Sequence, residues 1–220
     1  MQVEIWSDIA CPWCYVGKRR FEAALAAFEG REEVTVRWRA FELDPDAERE
    51  READLASELA AKYGITREEA LARRAQLVAV AAGEGIAMAP ASTRSSNTFD
   101  GHRLLALAAH DGRQDALKER LLRAHHCEGE SVGNRATLER LAIEVGLDGE
   151  AVREVLAGER FAQEVRADEA TARALGIDAV PFFVIDRAYG AAGAQSPEVL
   201  GQFLRHAYTA AATPATGSGG

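Results

Sequence analysis

Cysteine, lysine and proline are all scarce in this chain of 220 residues, and each scarcity removes a class of protein. Three cysteines cannot build the dense disulfide framework of a small secreted domain. Lysine occurs only at Lys18, Lys62 and Lys118, and 26 Lys and Arg face 35 Asp and Glu, for a net charge of −9. That balance speaks against nucleic acid or an anionic membrane as the main partner. No apolar run reaches the roughly 20 residues of a membrane-spanning helix. The start, Met1-Gln2-Val3-Glu4-Ile5-Trp6, lacks the basic, apolar and small-residue segments of a secretory signal. A cytoplasmic location is therefore expected, where thiols are kept reduced. No repeat of fixed period is present. With 47% apolar residues, the chain can bury a sizeable core without staples.

Hydrophobic periodicity organises the rest. Val3 and Ile5 alternate with Gln2, Glu4 and Trp6, which predicts a half-buried strand. Phe21, Leu25 and Phe28 then form one helical face, ended by Gly30, and Val34 to Ala40 alternates as a second strand. From Asp44-Pro45 to Gly176 the pattern is helical. Thr66 and Glu69 form a capping-box pair before an expected apolar face of Leu71, Ala75, Val78 and Ala82. Further faces follow at Leu104, Leu107 and Ala108, at Leu117, Leu121 and Ala124, and after an Asn134 cap at Leu138, Leu141, Ala142 and Val145. Phe161 to Leu175 reads as one helix closed by Gly176, and Gly83 to Ser96 as a loop. The charge run Glu48 to Glu52 reads as a solvated helix start. Pro181 to Asp186 is a continuous apolar run suited to a buried strand, a weaker strand covers Ala188 to Ala192, and Ser196-Pro197 opens a last helix. The order is βαβ, a helical insertion, then ββα.

The chemistry sits in Cys11-Pro12-Trp13-Cys14, between the first strand and the first helix. A sulfur at a helix start meets free amides and the positive end of the helix dipole, which favour a thiolate. Pro12 is tolerated in the first turn because its missing N–H would be unpaired there. Cys14, one turn on, can attack a mixed disulfide formed at Cys11. The geometry predicts an exposed, acidic nucleophile at Cys11 and a more buried resolving thiol at Cys14. Val180-Pro181 leads into a buried strand, an unusual place for a residue that lacks a ladder donor. Were that bond cis, its backbone could present hydrogen bonds to an extended substrate.

The run from Trp6-Ser7-Asp8 through Cys11-Pro12-Trp13-Cys14-Tyr15 to Gly17-Lys18, the helical insertion, and Val180-Pro181-Phe182-Phe183-Val184-Ile185-Asp186 together resemble the DsbA-like thiol–disulfide oxidoreductases. More narrowly they are similar to the FrnE subgroup, as are Ser96-Asn97-Thr98, Arg103-Leu104 and Glu128-Gly129. The resemblance implies an α/β thioredoxin fold, with residues 1–46 and 177–210 forming a thioredoxin-like domain and 47–176 an inserted helical domain. Residues 211–220 are expected to form a disordered tail. The resemblance further implies Cys11 as nucleophile, Cys14 as resolving thiol and Pro181 as a cis proline; Pro12, Trp13, Val180 and Pro181 are the substrate-binding candidates, with packing on the insertion as the plain reading of Trp13. Asn97 and His102, at the start of an insertion helix, become pocket candidates; their plain readings are a cap and a surface or hydrogen-bonded position. Where thioredoxin has a buried acid, six residues before the first cysteine, this chain has Ile5. Asp8 is the nearest alternative.

Plainer readings stand beside these. A Cys11–Cys14 staple would close too short a loop to stabilise much. Zinc would need His125, His126 or Cys127 to fold over the pair; no metal is assigned. His125 and His126 read as solvated helix-end residues, Cys127 as a small buried apolar residue, Lys18 as part of a solvated face, and Trp6 and Trp38 as core. Trp13 is expected to be partly exposed. The expected partners are protein or small-molecule thiols and disulfides, with the Cys11–Cys14 couple as the only redox group and glutathione as a candidate co-substrate. A glutathione-dependent isomerase or transferase, of the 2-hydroxychromene-2-carboxylate isomerase or kappa type, is the rival enzyme. A metal-binding or holdase protein is the rival outside enzymology. Oligomeric state is not legible.

Overall fold

The structure is a computed structural model, and it describes residues 1–50, 54–89 and 96–212. The chain begins with β1 (Gln2–Ser7), α1 (Pro12–Ala26) and β2 (Thr35–Ala40). Among the described residues seven helices follow: α2 (Leu55–Tyr63), α3 (Arg67–Gly83), α4 (Phe99–His110), α5 (Gln114–His126), α6 (Arg135–Glu144), α7 (Gly149–Ala157) and α8 (Ala162–Ala174). The chain then returns as β3 (Phe182–Ile185), β4 (Tyr189–Ala192) and α9 (Pro197–Ala212). One sheet has the order β2-β1-β3-β4, with β1 and β2 parallel and β3 antiparallel to both β1 and β4. Strands from the two ends of the sequence therefore meet at β1, where Ile5 lies between Trp38 and Phe183.

That central position corrects one expectation. β1 is buried on both faces rather than one, because it has a strand on each side and packing above and below. Glu4 is 1% exposed and holds its place by pairing with Arg39 and Arg187. Two arginines on one carboxylate offset the desolvation of its charge. Trp6 and Trp38 are core residues, as expected.

One apolar cluster lies between the sheet and the helices α1 and α9, built from Val3, Ile5, Phe21, Trp38, Phe183, Leu200 and Leu204. A second fills the space among α4 to α7, with Leu104, Leu107, Leu117, Leu121, Leu138, Leu141, Val152 and Val155. Ile9, from the loop between β1 and α1, is buried in this second cluster. Its Cδ1 would lie only 2.6 Å from a Cβ at Gly101, so glycine there admits the Ile9 side chain. Burying that side chain contributes about 1.5–3 kcal/mol and ties the loop before Cys11 to the helices.

Local signals were mostly kept. Thr66 and Glu69 form the reciprocal capping box, and Asn134 accepts from the Thr137 amide. Gly176 closes α8 at φ +70°. The buried face of α3, however, is Ala70, Leu77 and Ala81, whereas Leu71 is exposed. Arg74 explains the rotation: it shares that inner face, and its guanidinium donates to the Ala89 carbonyl. The helix α1 ends at Ala26, before Gly30. Residues 48–50 are not helical; α2 starts after an Asp54 cap. Positions 51 and 52 of that charge run, 90–95 of the expected loop and 213–220 of the expected tail lie outside the described residues.

Glu42, just past β2, and Glu169, on α8, are both buried and share Arg166, which donates to Glu42 Oε2 at 2.7 Å and Glu169 Oε2 at 2.9 Å. Burial and the neighbouring Glu169 carboxyl push Glu42 up to about 8. An acid raised in the folded state withdraws stability as pH rises from its unfolded value toward the raised one. Glu42→Gln is therefore expected to melt higher than the parent at pH 9 and equally at pH 4, as thermal unfolding across that range would show.

Candidate active site

Cys11 is the N-cap of α1, with φ −87° and ψ 112°, and Pro12 takes the first helical position. The Cys14 amide donates to the Cys11 carbonyl at 3.0 Å, closing the first turn and bringing the second sulfur under the first. Cys11 Sγ donates to the Val180 carbonyl at 3.6 Å. Val180-Pro181 is a cis peptide, and Pro181 O accepts from the Gly193 amide at 2.8 Å. A Cβ at Gly17 would stand 2.8 Å from Pro181 Cγ, so glycine lets α1 approach this segment closely. The two ends of the chain thus meet at one sulfur.

Both sulfurs are free thiols, and both are buried: Cys11 is 5% exposed and Cys14 not at all. The expected exposed nucleophile is corrected here. The Val180 carbonyl and the loop from Asp8 cover Cys11, while Trp13 beside it is 42% exposed. The expected acidity is redistributed as well. Hydrogen bonding to Cys14, then burial, push the Cys11 thiol up, although the Cys14 amide at the helix start favours its thiolate. Burial also opposes ionisation of Cys14, but the hydrogen bond from Cys11, the Lys118 charge and the Ser7 hydroxyl outweigh it and lower Cys14. The two thiols act on each other in opposite senses, so the inner sulfur is the more readily ionised of the pair.

Around them lies a polar shell drawn largely from α4 and α5. Asp8 is 1% exposed; its carboxylate accepts from Leu43 N at 2.8 Å, Ala10 N at 3.3 Å and His102 Nε2 at 3.3 Å. Burial works against that carboxylate, yet His102, the Leu43 amide and Thr98 hold it down at about 2. His126 Nε2 donates to the Ile9 carbonyl at 2.9 Å, and its ring meets that of His125 edge-on at 4.7 Å. Burial lowers both histidines, so both are neutral near pH 7. Lys118, wholly buried on α5, donates to the Ser7 carbonyl at 3.3 Å.

Several expected positions change. Of the two plain readings of His102, the hydrogen-bonded one is found: it is 2% exposed as the partner of Asp8. Asn97 lies one residue before the Thr98 N-cap of α4, where its Oδ1 accepts from Phe99 N at 3.0 Å and its Nδ2 donates to Pro45 O. Lys18 is 1% exposed rather than solvated, because Glu22, Asp115 and Glu119 surround its ammonium. His125 and His126 are buried, because α5 turns them against the Cys11 loop. Cys127 is partly exposed rather than buried. Among the described residues, no group of three or more His, Cys, Asp or Glu is placed to hold a metal ion. Sequence reasoning missed Lys118 and Ser7. A signal existed: Lys118 shares one face of α5 with the leucines Leu117, Leu121 and Leu122, all buried. A lysine on such a face has its charge inside the protein.

A carboxylate lowered in the folded state contributes stability above its ordinary value and loses it as pH falls through the lowered one. Asp8→Asn is expected to lose about 2 kcal/mol at pH 7. Denaturant unfolding should show that deficit shrink as pH drops from 4 toward 2, the value to which the carboxyl is held.

Comparison with known proteins completes the description. A probable DsbA oxidoreductase from Streptomyces coelicolor is 50% identical and superposes with a TM-score of 0.91, over 95% of this chain and 90% of that one. The uncharacterized protein YwbO of Bacillus subtilis is 27% identical over 188 residues, 84% of this chain and 86% of the relative. The cytosolic disulfide reductase DsbM from Pseudomonas aeruginosa, at 20% identity, shares the fold with a TM-score of 0.67 over 96% of this chain and 100% of its own. The model of the DSBA-like thioredoxin domain matches residues 2–205. Spanned almost end to end by that model, the chain belongs to the DSBA-like thioredoxin domain family and is a DsbA-like oxidoreductase.

Proposed function

We propose that the protein exchanges the Cys11–Cys14 dithiol with disulfides of proteins or small molecules. The observation that carries this reading is the pair of free thiols one turn apart at the start of α1, with the outer sulfur against the Val180 carbonyl. When a substrate disulfide reaches Cys11, its proton passes to the more readily ionised Cys14 and the Cys11 thiolate attacks. An S–S bond forms to Cys11 while the substrate bond breaks, and one substrate sulfur leaves as thiolate and takes a proton from water. Cys14 then loses its proton and attacks Cys11. The second substrate sulfur leaves, and the Cys11–Cys14 disulfide remains. Two electrons have passed to the substrate.

Pro12, Trp13, Val180 and Pro181 form the substrate contact in this reading: exposed Trp13 supplies an apolar surface, and the segment at Val180 already lies against the attacking sulfur. Run backward, the same steps oxidise a dithiol. A reducing compartment such as the cytoplasm belongs to the reading, with glutathione as a candidate reductant. Among the described residues no helix is long and apolar enough to cross a membrane. A glutathione-dependent isomerase needs only one activated group at the helix start, so the wholly buried second sulfur supports exchange over isomerisation.

Insulin reduction with a supplied thiol tests the proposal. Cys11→Ser should fall at least about a thousandfold, toward the uncatalysed rate. Cys14→Ala should accumulate a mixed disulfide at Cys11, visible by mass spectrometry. Undiminished turnover in Cys11→Ser would remove this chemistry from the protein.

A further inference from the structure

Glu42 and Glu169 bring more negative charge inside than their surroundings balance. The Glu42 side chain is 0% exposed and that of Glu169 is 9% exposed. One nitrogen, Arg166 Nη1, serves both, donating to Glu42 Oε2 at 2.7 Å and to Glu169 Oε2 at 2.9 Å, so the carboxyl groups lie within two hydrogen-bond lengths of each other. The other oxygen of each, Oε1, is buried and receives no donor. A single guanidinium balances one carboxylate, and a second buried charge this close is expensive unless a proton removes it. The neighbouring elements bring no further free charge to the pair. Arg39 of β2 is engaged by Glu4 and by Asp168 of α8, α4 contributes the Phe99 ring 4.2 Å from the Arg166 guanidinium, Asp8 is engaged by His102, and Asp44 is exposed.

The residues on either side of Glu42 reach the active site. Phe41 packs on the apolar cluster of Trp6, Ala172, Ile177 and Val184, as does Val180, whose carbonyl meets Cys11 Sγ. Leu43 donates its amide to Asp8 Oδ2 at 2.8 Å, and the Asp8 carbonyl accepts from the Cys11 amide at 3.4 Å. We infer that Glu42 is a neutral carboxylic acid and a positioning residue, holding residues 41–43 against the Cys11 loop for as long as it keeps its proton. The inference rests on the exchange reading above and assigns what keeps the reacting sulfur in place. The O–H of Glu42 is the donor that the pair lacks, and it goes to the Glu169 carboxylate, whose charge Arg166 balances. When the proton leaves to solvent on the side of Arg166, which is half exposed, two carboxylates face one guanidinium. Glu42 then gives up its buried place, and the Leu43 amide is drawn away from Asp8. Burial, then the hydrogen bond with Glu169, raise Glu42 to about 8, in keeping with that geometry.

The test compares disulfide exchange by the full chain and by Glu42→Gln from pH 7 to pH 9. Glutamine keeps a neutral N–H donor toward Glu169 and has no proton to lose. One unit above a value of about 8, roughly a tenth of the parent molecules still hold the proton. The rate of Glu42→Gln relative to the parent should therefore rise about tenfold between pH 7 and pH 9. Thiol ionisation is common to both proteins and cancels in that ratio. By NMR, the Leu43 amide should lose its hydrogen-bonded resonance over the same range in the parent alone. A flat rate ratio, or a Leu43 resonance that moves alike in both proteins, would overturn the inference while leaving exchange by Cys11 and Cys14 intact. Absence of exchange in the parent at every pH would instead sink the earlier reading, and the Leu43 titration would still decide this one. If Glu42→Gln does not fold, Glu169→Gln replaces it: with one acid left beside Arg166, the Leu43 step near pH 8 should vanish, and its persistence would overturn the assignment.

Discussion

The structure depends on keeping an ionisable sulfur pair out of water. A helix start alone supplies partial charges of about half an elementary unit, sufficient for a surface cysteine. It does not suffice for Cys14, which no solvent touches. The remainder comes from the hydrogen bond from Cys11, then from the Lys118 charge and the Ser7 hydroxyl. Low polarity around the pair cuts both ways: it penalises an unpaired charge and strengthens each interaction that does reach the sulfur.

The same requirement explains why the two chain ends and the intervening helices converge. β1 leads directly to Cys11, and it is held between β2 from its own half and β3 from the other. The β3 end delivers Val180 to the outer sulfur, with Gly17 leaving room for Pro181. The helices act from the opposite side. Ile9 is sunk in their apolar cluster, His126 holds the Ile9 carbonyl, and His102 holds Asp8. Three anchors on two adjacent residues, Asp8 and Ile9, fix the loop from which Cys11 emerges, so exchange chemistry and folding of the helical segment are coupled.

Much of this was legible in the chain. Period-two and helical patterns located the βαβ start, the ββα end and the helices between them, and Cys11, Cys14 and Pro181 stood out by type and spacing. What escaped was decided by packing across distant segments. Lys18, His125 and His126 look like ordinary surface residues until α1 and α5 are brought together; then each is inside. Leu71 reads as core by propensity, but Arg74 takes the inner face of α3 because the Ala89 carbonyl is there to receive it. The acidity of Cys11 was expected from its helix start alone. The structure adds a second sulfur whose hydrogen bonding raises Cys11 and lowers Cys14.

The central claim is that Cys11 and Cys14 form a single redox unit. Equilibrating the protein across a range of glutathione to glutathione-disulfide ratios, then alkylating and mapping each cysteine by mass, tests it most directly. The account predicts that Cys11 and Cys14 lose reactivity together in one reversible two-electron transition, with Cys127 unaffected. Separate transitions for the two sulfurs, or protection of either one by a bond to Cys127, would contradict it.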